Sequence, residues 1–164
     1  MKTIATLLIL IGSCINVHAQ SDKKIQIVKQ YLEHAFNEEH DGQKALMHPD
    51  IIDYHPTILQ EAARGRGELI KGWQETTRSM ESVSYKNAGI GILNIIEGEL
   101  VGEWVVTNGT ITSNFMGMES AVISQMVGFY KVENGLITEV RNFGNILDIY
   151  QQLGYTLTAP KPKQ

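Results

Sequence analysis

The sequence predicts an α+β fold, in which N-terminal helices pack on a curved antiparallel sheet to form a cone-shaped α+β barrel. Apolar residues recur at helical spacing through the first half of the chain, whereas from Val83 onward runs rich in Val, Ile, Tyr and Thr follow one another. Turn signals at Glu97-Gly98 and Asn134-Gly135 separate these runs, and Asn-Gly is a strong hairpin signal. A sheet that curls around its helices leaves an open mouth, which is a natural pocket for a small molecule.

The first nineteen residues have the pattern of a secretory signal. Lys2 is followed by an apolar stretch over residues 4–11, and Val17-His18-Ala19 is a site that signal peptidase could cleave. The apolar stretch is about half the roughly 20 residues needed to span a bilayer, which argues against a membrane anchor. We therefore expect a secreted or periplasmic protein with a signal peptide at 1–19, one domain at 20–157 and a flexible tail at 158–164. Lipidation at Cys14, within the lipobox-like Ile11-Gly12-Ser13-Cys14, is the alternative.

Composition excludes several classes of function. Cleavage after Ala19 removes Lys2 and the only cysteine, so the mature chain is one charge more acidic than the −4 of the full chain. A cysteine-free, mildly acidic chain without a basic cluster indicates neither a disulfide framework nor nucleic-acid binding. The sequence has no phosphate-binding loop, dinucleotide fingerprint or serine-elbow motif. We therefore predict a small-molecule partner, no cofactor and no membrane span.

Periodicity predicts the individual elements. Ile25, Val28, Leu32 and Phe36 mark an amphipathic helix of about sixteen residues, followed by a short helix at 43–47 and a third helix from 69 to 80. A strand is predicted at 51–55, before Pro56, and residues 62–67 are predicted as a loop. Four further strands, near 83–95, 99–114, 119–132 and 136–143, should pair as an antiparallel meander. A helical turn at 145–152 closes the domain.

Several local motifs follow one another in an order typical of a known family. They are Phe36-Asn37-Glu38, His48-Pro49-Asp50, Asp53-Tyr54-His55-Pro56, Gly65-x-Gly67-Glu68 before Trp73, the segment from Phe129 to Glu139, and Gln151-Gln152-Leu153-Gly154. With these motifs the chain resembles the SnoaL-like branch of the nuclear transport factor 2-like superfamily over nearly all of residues 23–157. The resemblance implies a conical α+β barrel that often forms a homodimer through the outer face of its sheet. That superfamily includes isomerases, cyclases, dehydratases and non-catalytic binding proteins, so fold alone does not decide function.

Asp53 and His55 are candidate catalytic residues, because residues two apart on a strand face the same way. A carboxylate beside an imidazole can fix its tautomer and raise its pKa, which suits a general base. The resemblance implies a histidine at the His55 position lining the pocket mouth; alternatively, His55 only forms a hydrogen bond near the strand end. His48, Asp53 and His55 are possible zinc ligands, but their spacing matches no zinc signature, and we predict no metal.

Arg141 and Asn145 are candidate ligand-binding residues. The resemblance implies a histidine or tryptophan at position 141 and an acid–base aspartate at position 145, and this chain departs from both. Asparagine exchanges no proton in the useful range and arginine stays protonated, so the pair would hold an anion better than it would deprotonate a carbon acid. Alternatively, Arg141 only pairs at the surface with Glu139. Asp148, one turn after Asn145, either substitutes for the missing aspartate or is a solvated helix residue.

Aromatic residues complete the predicted pocket, with Tyr54, Trp73 and Trp104 as ligand contacts and Tyr130 as a catalytic residue. Two functions remain open. One is an exported protein that binds an apolar or anionic-headed ligand without turnover. The other is a cofactor-free lyase, isomerase or cyclase, in which His55 and Asp53 act as the base while Tyr130 or Arg141 stabilises an enolate.

Overall fold

The computed structural model describes residues 2–54, 61–156 and 158, with side chains described from Ala19 onward. The predicted catalytic residue His55 lies outside the described residues, as does most of the predicted tail at 158–164. The architecture of these described ranges is the predicted α+β fold, with N-terminal helices against a curved, unclosed sheet of six strands.

The described residues contain four helices: α1 (Lys2–Phe36), α2 (His40–Ala45), α3 (Arg66–Thr77) and α4 (Ile146–Gln152). Helix α1 is longer than predicted and runs without a break through the predicted cleavage junction at Ala19. Helix α3 ends three residues earlier than predicted, because Met80 already belongs to the next strand. None of the helices in the described part of the chain is both long and apolar enough to cross a membrane.

The strands are β1 (Met47–Tyr54), β2 (Ala63–Arg64), β3 (Met80–Ile95), β4 (Gly102–Phe115), β5 (Val122–Glu133) and β6 (Leu136–Gly144), in the spatial order β2-β1-β6-β5-β4-β3. Strands β3 to β6 form the predicted antiparallel meander, and Asn134 and Gly135 make the predicted tight turn with φ angles of 52° and 82°.

The rest of the sheet differs from the prediction in two ways. Strand β1 pairs with β6 in parallel, with Asp53 opposite Val140, so the sheet is mixed rather than wholly antiparallel. Strand β2 occupies part of the predicted 62–67 loop and pairs with β1. Both pairings join segments whose partners are not set by a local turn, so they leave no short-range sequence signal.

The core lies between α1 and the sheet, and we call the face of the sheet that packs there the inner face. Val28, Met47, Ile51 and Ile137 are fully buried in it. Because side chains alternate between the faces of a strand, these residues fix which others point inward. Asp53 follows Ile51 by two positions, and Asn142 likewise follows the buried Val140. The helices therefore cover the face on which the candidate site lies.

Candidate functional site

Asp53 lies on the inner face near the end of β1, partly exposed and next to the apolar core. Burial raises the pKa of the Asp53 carboxyl from its usual 3.8 to about 7, because the surrounding apolar atoms disfavour the charged form. A carboxyl with this pKa exchanges a proton readily near neutral pH.

Two tyrosines lie close to Asp53. The rings of Tyr31 on α1 and Tyr130 on β5 meet edge to face with their centroids 5.9 Å apart. Burial raises the pKa of both phenols above the usual range, and the nearby Asp53 charge raises it further. Both hydroxyls therefore remain protonated and can donate hydrogen bonds to a bound molecule.

The Tyr130 side chain lies along its own strand, over a glycine. A Cβ atom built on Gly128 would come within 2.5 Å of the Tyr130 hydroxyl oxygen. Gly128 is paired with Thr107 on β4 and with Asn142 on β6, so these three positions form a row across the inner face. The Tyr130 hydroxyl thus lies between the Thr107 and Asn142 side chains. We call Thr107, the Tyr130 hydroxyl and Asn142 the polar row.

The polar row contains buried atoms whose hydrogen-bonding capacity is unused. Asn142 Oδ1 is buried and has no hydrogen-bond partner among the described residues. Thr107 Oγ1 is buried as well and forms no hydrogen bond of good geometry with these residues, although it lies close enough to the Tyr130 hydroxyl to lower the pKa of that group. The Tyr85 hydroxyl and Gln43 Oε1, which lies beside Tyr31, are likewise buried and form no hydrogen bond of good geometry with the described residues. An unpaired buried polar atom costs about 1–3 kcal/mol. Several of them in one region indicate that a bound molecule or ordered water completes the site.

Aromatic residues border this region at the end of α1. The Tyr85 ring lies over Gly109, where a Cβ would overlap it, and stacks on Phe36 with centroids 5.1 Å apart. A groove of about 400 Å³ between α1 and β3 is lined by Leu32, Phe36 and Tyr85, among others. Trp73 meets Phe36 edge to face and donates its Nε1–H to the Ala35 carbonyl at 2.8 Å. Trp73 therefore joins α3 to α1 beside the aromatic wall.

Arg141 and Tyr54, both predicted to bind ligand, lie together on the outer face of the sheet. The Arg141 guanidinium stacks over the Tyr54 ring at 3.7 Å from its centroid, and its Nε donates to Glu139 Oε1 at 2.6 Å. This is the surface pairing that the sequence left open as the alternative. Since the neighbouring Val140 points into the core, Arg141 points away from Asp53.

Asn145 and Trp104 also lie apart from Asp53. Asn145 is exposed and caps α4, where its Oδ1 accepts the Asp148 backbone N–H at 3.2 Å. Trp104 is only 2 % exposed, on the opposite face from its neighbour Val105, which is part of the core. Its Nε1–H is bonded to the Leu100 carbonyl at 2.7 Å, and Lys131 Nζ lies 5.9 Å from its ring.

No three His, Cys, Asp or Glu side chains of the described residues gather closely enough to hold a metal ion. His48, weighed as a ligand from the sequence, instead accepts the Asp50 backbone N–H at 3.1 Å on Nδ1. A second groove, of about 580 Å³, lies between Lys23, Lys24 and the turn at Asn134, and it holds none of the predicted site residues.

Asp53 and Tyr130 are both candidate catalytic residues of the sequence, whereas Tyr31, Thr107 and Asn142 are not among the predicted site residues. Asn142 had a usable signal, because the alternation Val140-Arg141-Asn142 puts Asn142 on the apolar, inward side of the strand. Tyr31 and Thr107 look like ordinary core positions, and only the tertiary structure places Tyr31 near Asp53 and Thr107 opposite Gly128.

Solved structures with this fold come from several bacteria. An LEH-like epoxide hydrolase from M. tuberculosis shares 20 % identity at a TM-score of 0.63, covering 82 % of this chain and 91 % of its own. An NTF2-like protein from Burkholderia xenovorans shares 19 % identity at a TM-score of 0.58, covering 80 % and 95 %. A protein with a ketosteroid isomerase-like fold from Catenulispora acidiphila, in complex with trimethylamine, shares 14 % at 0.64, covering 79 % and 93 %.

These structural likenesses establish the fold alone. No curated protein sequence matches the chain. The family model for the SnoaL-like domain matches residues 28–140, which include α2, the whole of β1 to β5, and all the inner-face residues described above except Asn142. The chain therefore belongs to the SnoaL-like domain family.

Proposed function

We propose that this protein catalyses cofactor-free proton transfer at a carbon next to a carbonyl group in a small, uncharged molecule, with Asp53 as the acid–base residue. The observation that carries the proposal is a carboxyl with a pKa of about 7 on the inner face, beside two protonated tyrosines. A general base is most effective when its pKa is close to the working pH.

The proposed step uses only groups of this chain. The Asp53 carboxylate takes the proton, the C–H electron pair becomes a carbon–carbon double bond, and the carbonyl π pair moves onto oxygen. A nearby tyrosine hydroxyl stabilises the charge that develops on that oxygen by donating a hydrogen bond. Returning the proton from Asp53 to the same or another carbon gives exchange or isomerisation. His55 as the partner of Asp53 stays a prediction, because it lies outside the described residues.

The binding function with an anionic-headed ligand loses its main support. It rested on Arg141 and Asn145, but Arg141 is paired with Glu139 on the outer face and Asn145 caps α4. The charged group near the polar row is Asp53 itself, and a carboxylate repels an anion. The names of the epoxide hydrolase and of the ketosteroid isomerase-like protein are consistent with small-molecule chemistry in this fold.

The pH dependence of exchange tests the proposal. With 2-tetralone, a bicyclic ketone with acidic protons next to its carbonyl, we expect the protein to catalyse uptake of deuterium from D₂O. Because Asp53 must be ionised to accept a proton, the rate should rise with pH, reach half its maximum near the Asp53 pKa of about 7, and then level off. Proton NMR follows the exchange. Binding of 2-tetralone without exchange at any pH would favour a non-catalytic binding role instead.

We also propose export, on the strength of Lys2, the apolar stretch at 4–11 and the Ala19 junction. Cleavage after Ala19 would cut within α1 and leave Ser21 and Asp22, two good N-cap residues, at the new start of the helix. The intact mass of the protein from its native host should match a chain that begins at Gln20. A mass that matches a lipidated Cys14 would contradict this route.

The homodimer that the family resemblance implies is likewise a proposal. Exposed apolar side chains on the outer side of the sheet and on α4 support it, among them Ile123, Phe143 and Leu147. Light scattering after size-exclusion chromatography gives the mass of the particle in solution and so decides between a dimer and a monomer.

A further inference from the structure

We propose that the polar row binds a hydroxyl group, so that the ligand is an apolar molecule carrying an uncharged hydroxyl or enol. The identification of the bound group as the enol formed in the reaction rests on the proposed function, whereas the binding of a hydroxyl is independent of it. Two observations carry the inference: the buried, unpaired Asn142 Oδ1, and the Thr107 and Tyr130 hydroxyls held beside it in the row.

The chemistry of the row determines which group it recognises. Asn142 Oδ1 can only accept a hydrogen bond, whereas the Thr107 and Tyr130 hydroxyls can donate one. A ligand hydroxyl can accept from Tyr130 or Thr107 and donate to Asn142 Oδ1, which satisfies both kinds of atom. An ether or a carboxylate lacks the proton that Asn142 Oδ1 would accept, and a carboxylate would in addition be repelled by the nearby Asp53 charge.

Gly128 is the positioning residue of the row. The Tyr130 hydroxyl reaches its place between Thr107 and Asn142 only because position 128 has no side chain, since a Cβ there would lie 2.5 Å from the hydroxyl oxygen. Alanine at 128 would push the Tyr130 ring away and remove its hydroxyl from the row. Gly91, on β3, provides a matched control because a Cβ there meets no atom within 4 Å.

A series of naphthalenes tests the inference by calorimetry at pH 7.5. We expect 2-naphthol, the aromatic enol counterpart of 2-tetralone, to bind about tenfold more tightly than 2-methoxynaphthalene, which accepts but cannot donate a hydrogen bond. We also expect it to bind more tightly than 2-naphthoate. Equal affinity for naphthol and its methyl ether, or tighter binding of the naphthoate, would overturn the inference.

Variants of the polar row and of Gly128 test which side chains recognise the ligand hydroxyl. Asn142→Leu should remove most of the difference in affinity between 2-naphthol and its methyl ether. Thr107→Val should weaken the binding of 2-naphthol about tenfold, whereas the control Thr110→Val, on the outer face, should leave it unchanged. Gly128→Ala should weaken 2-naphthol as Tyr130→Phe does, and Gly91→Ala should not. If Gly128→Ala does not fold, Asn142→Leu still decides: an unchanged ratio in that variant would overturn the inference.

The exchange assay separates this inference from the proposed function. Selective binding of 2-naphthol that depends on Asn142, without deuterium exchange into 2-tetralone, would support the hydroxyl site and contradict catalysis. Exchange that depends on Asp53, with no preference for the hydroxyl over the ether, would support catalysis and overturn the hydroxyl site.

Discussion

Replacing Asp53 with Asn should lower the rate of deuterium exchange into 2-tetralone by about 10³-fold while making the protein more stable at pH 8. The loss of rate follows because an amide cannot accept the proton, and a positioned general base contributes about 10²–10⁴-fold. The gain in stability follows because burial makes ionisation of Asp53 unfavourable in the folded state. A residue whose role is only structural would not combine these two effects.

The sign of the pH effect follows from the raised pKa. Folded Asp53 has a pKa of about 7 against an ordinary 3.8, so the folded state holds the proton more tightly than the unfolded state does. The stability that this proton provides is fully present below about pH 4 and is lost as the pH rises through 7. At pH 8 the Asn variant should therefore exceed the wild type by about 2–4 kcal/mol in free energy of unfolding; the lower figure allows for the partial exposure of the carboxylate.

Urea unfolding at pH 4 and at pH 8 measures this difference, and Asp50→Asn is the matched control. Asp50 lies on the same strand but is exposed, and no exchange chemistry is assigned to it. We expect Asp50→Asn to leave the exchange rate unchanged. Full exchange activity in Asp53→Asn would rule out Asp53 as the base, and equal stability of variant and wild type at pH 8 would rule out its raised pKa.

The sequence predicted what local patterns encode. The four-stranded meander follows from its strand-forming runs and from the Asn134-Gly135 turn. The inward direction of Asp53 was not predicted, although its spacing of two residues from the buried Ile51 could have indicated it. The polar row could not be predicted from the sequence, because it forms only when β4, β5 and β6 align Thr107, Gly128 and Asn142 in register. Register between strands is a property of the whole sheet.

Arg141 and Trp104 show why the chemical type of a residue does not by itself tell whether the residue lies at a binding site. The sequence could have assigned Arg141 to the outer face, because its neighbours Val140 and Asn142 both point to the inner face. The sequence could not assign Trp104 to a face in this way, because Trp104 and the adjacent Val105 are both almost completely buried. When a loop covers the outer face locally, alternation in burial disappears and both faces look like core.

Replacing Trp104 with Ala should destabilise the fold by about 3–5 kcal/mol without changing the affinity for 2-naphthol. The side chain is 2 % exposed, so its removal leaves a large cavity. The hydrogen bond from Nε1 to the Leu100 carbonyl is also lost, which frees the segment that precedes β4. The polar row lies on the other face of the sheet, so it should keep its geometry as long as the protein is folded.

A phenylalanine at position 104 separates the two contributions to this stability. It fills most of the cavity but cannot donate to Leu100, so Trp104→Phe should cost about 1–2 kcal/mol. Thermal unfolding and calorimetry with 2-naphthol, both on each variant, provide the comparison. If Trp104→Ala instead weakened 2-naphthol binding tenfold at unchanged stability, Trp104 would be a ligand contact as the sequence suggested. The site would then have to extend through the sheet to its outer face.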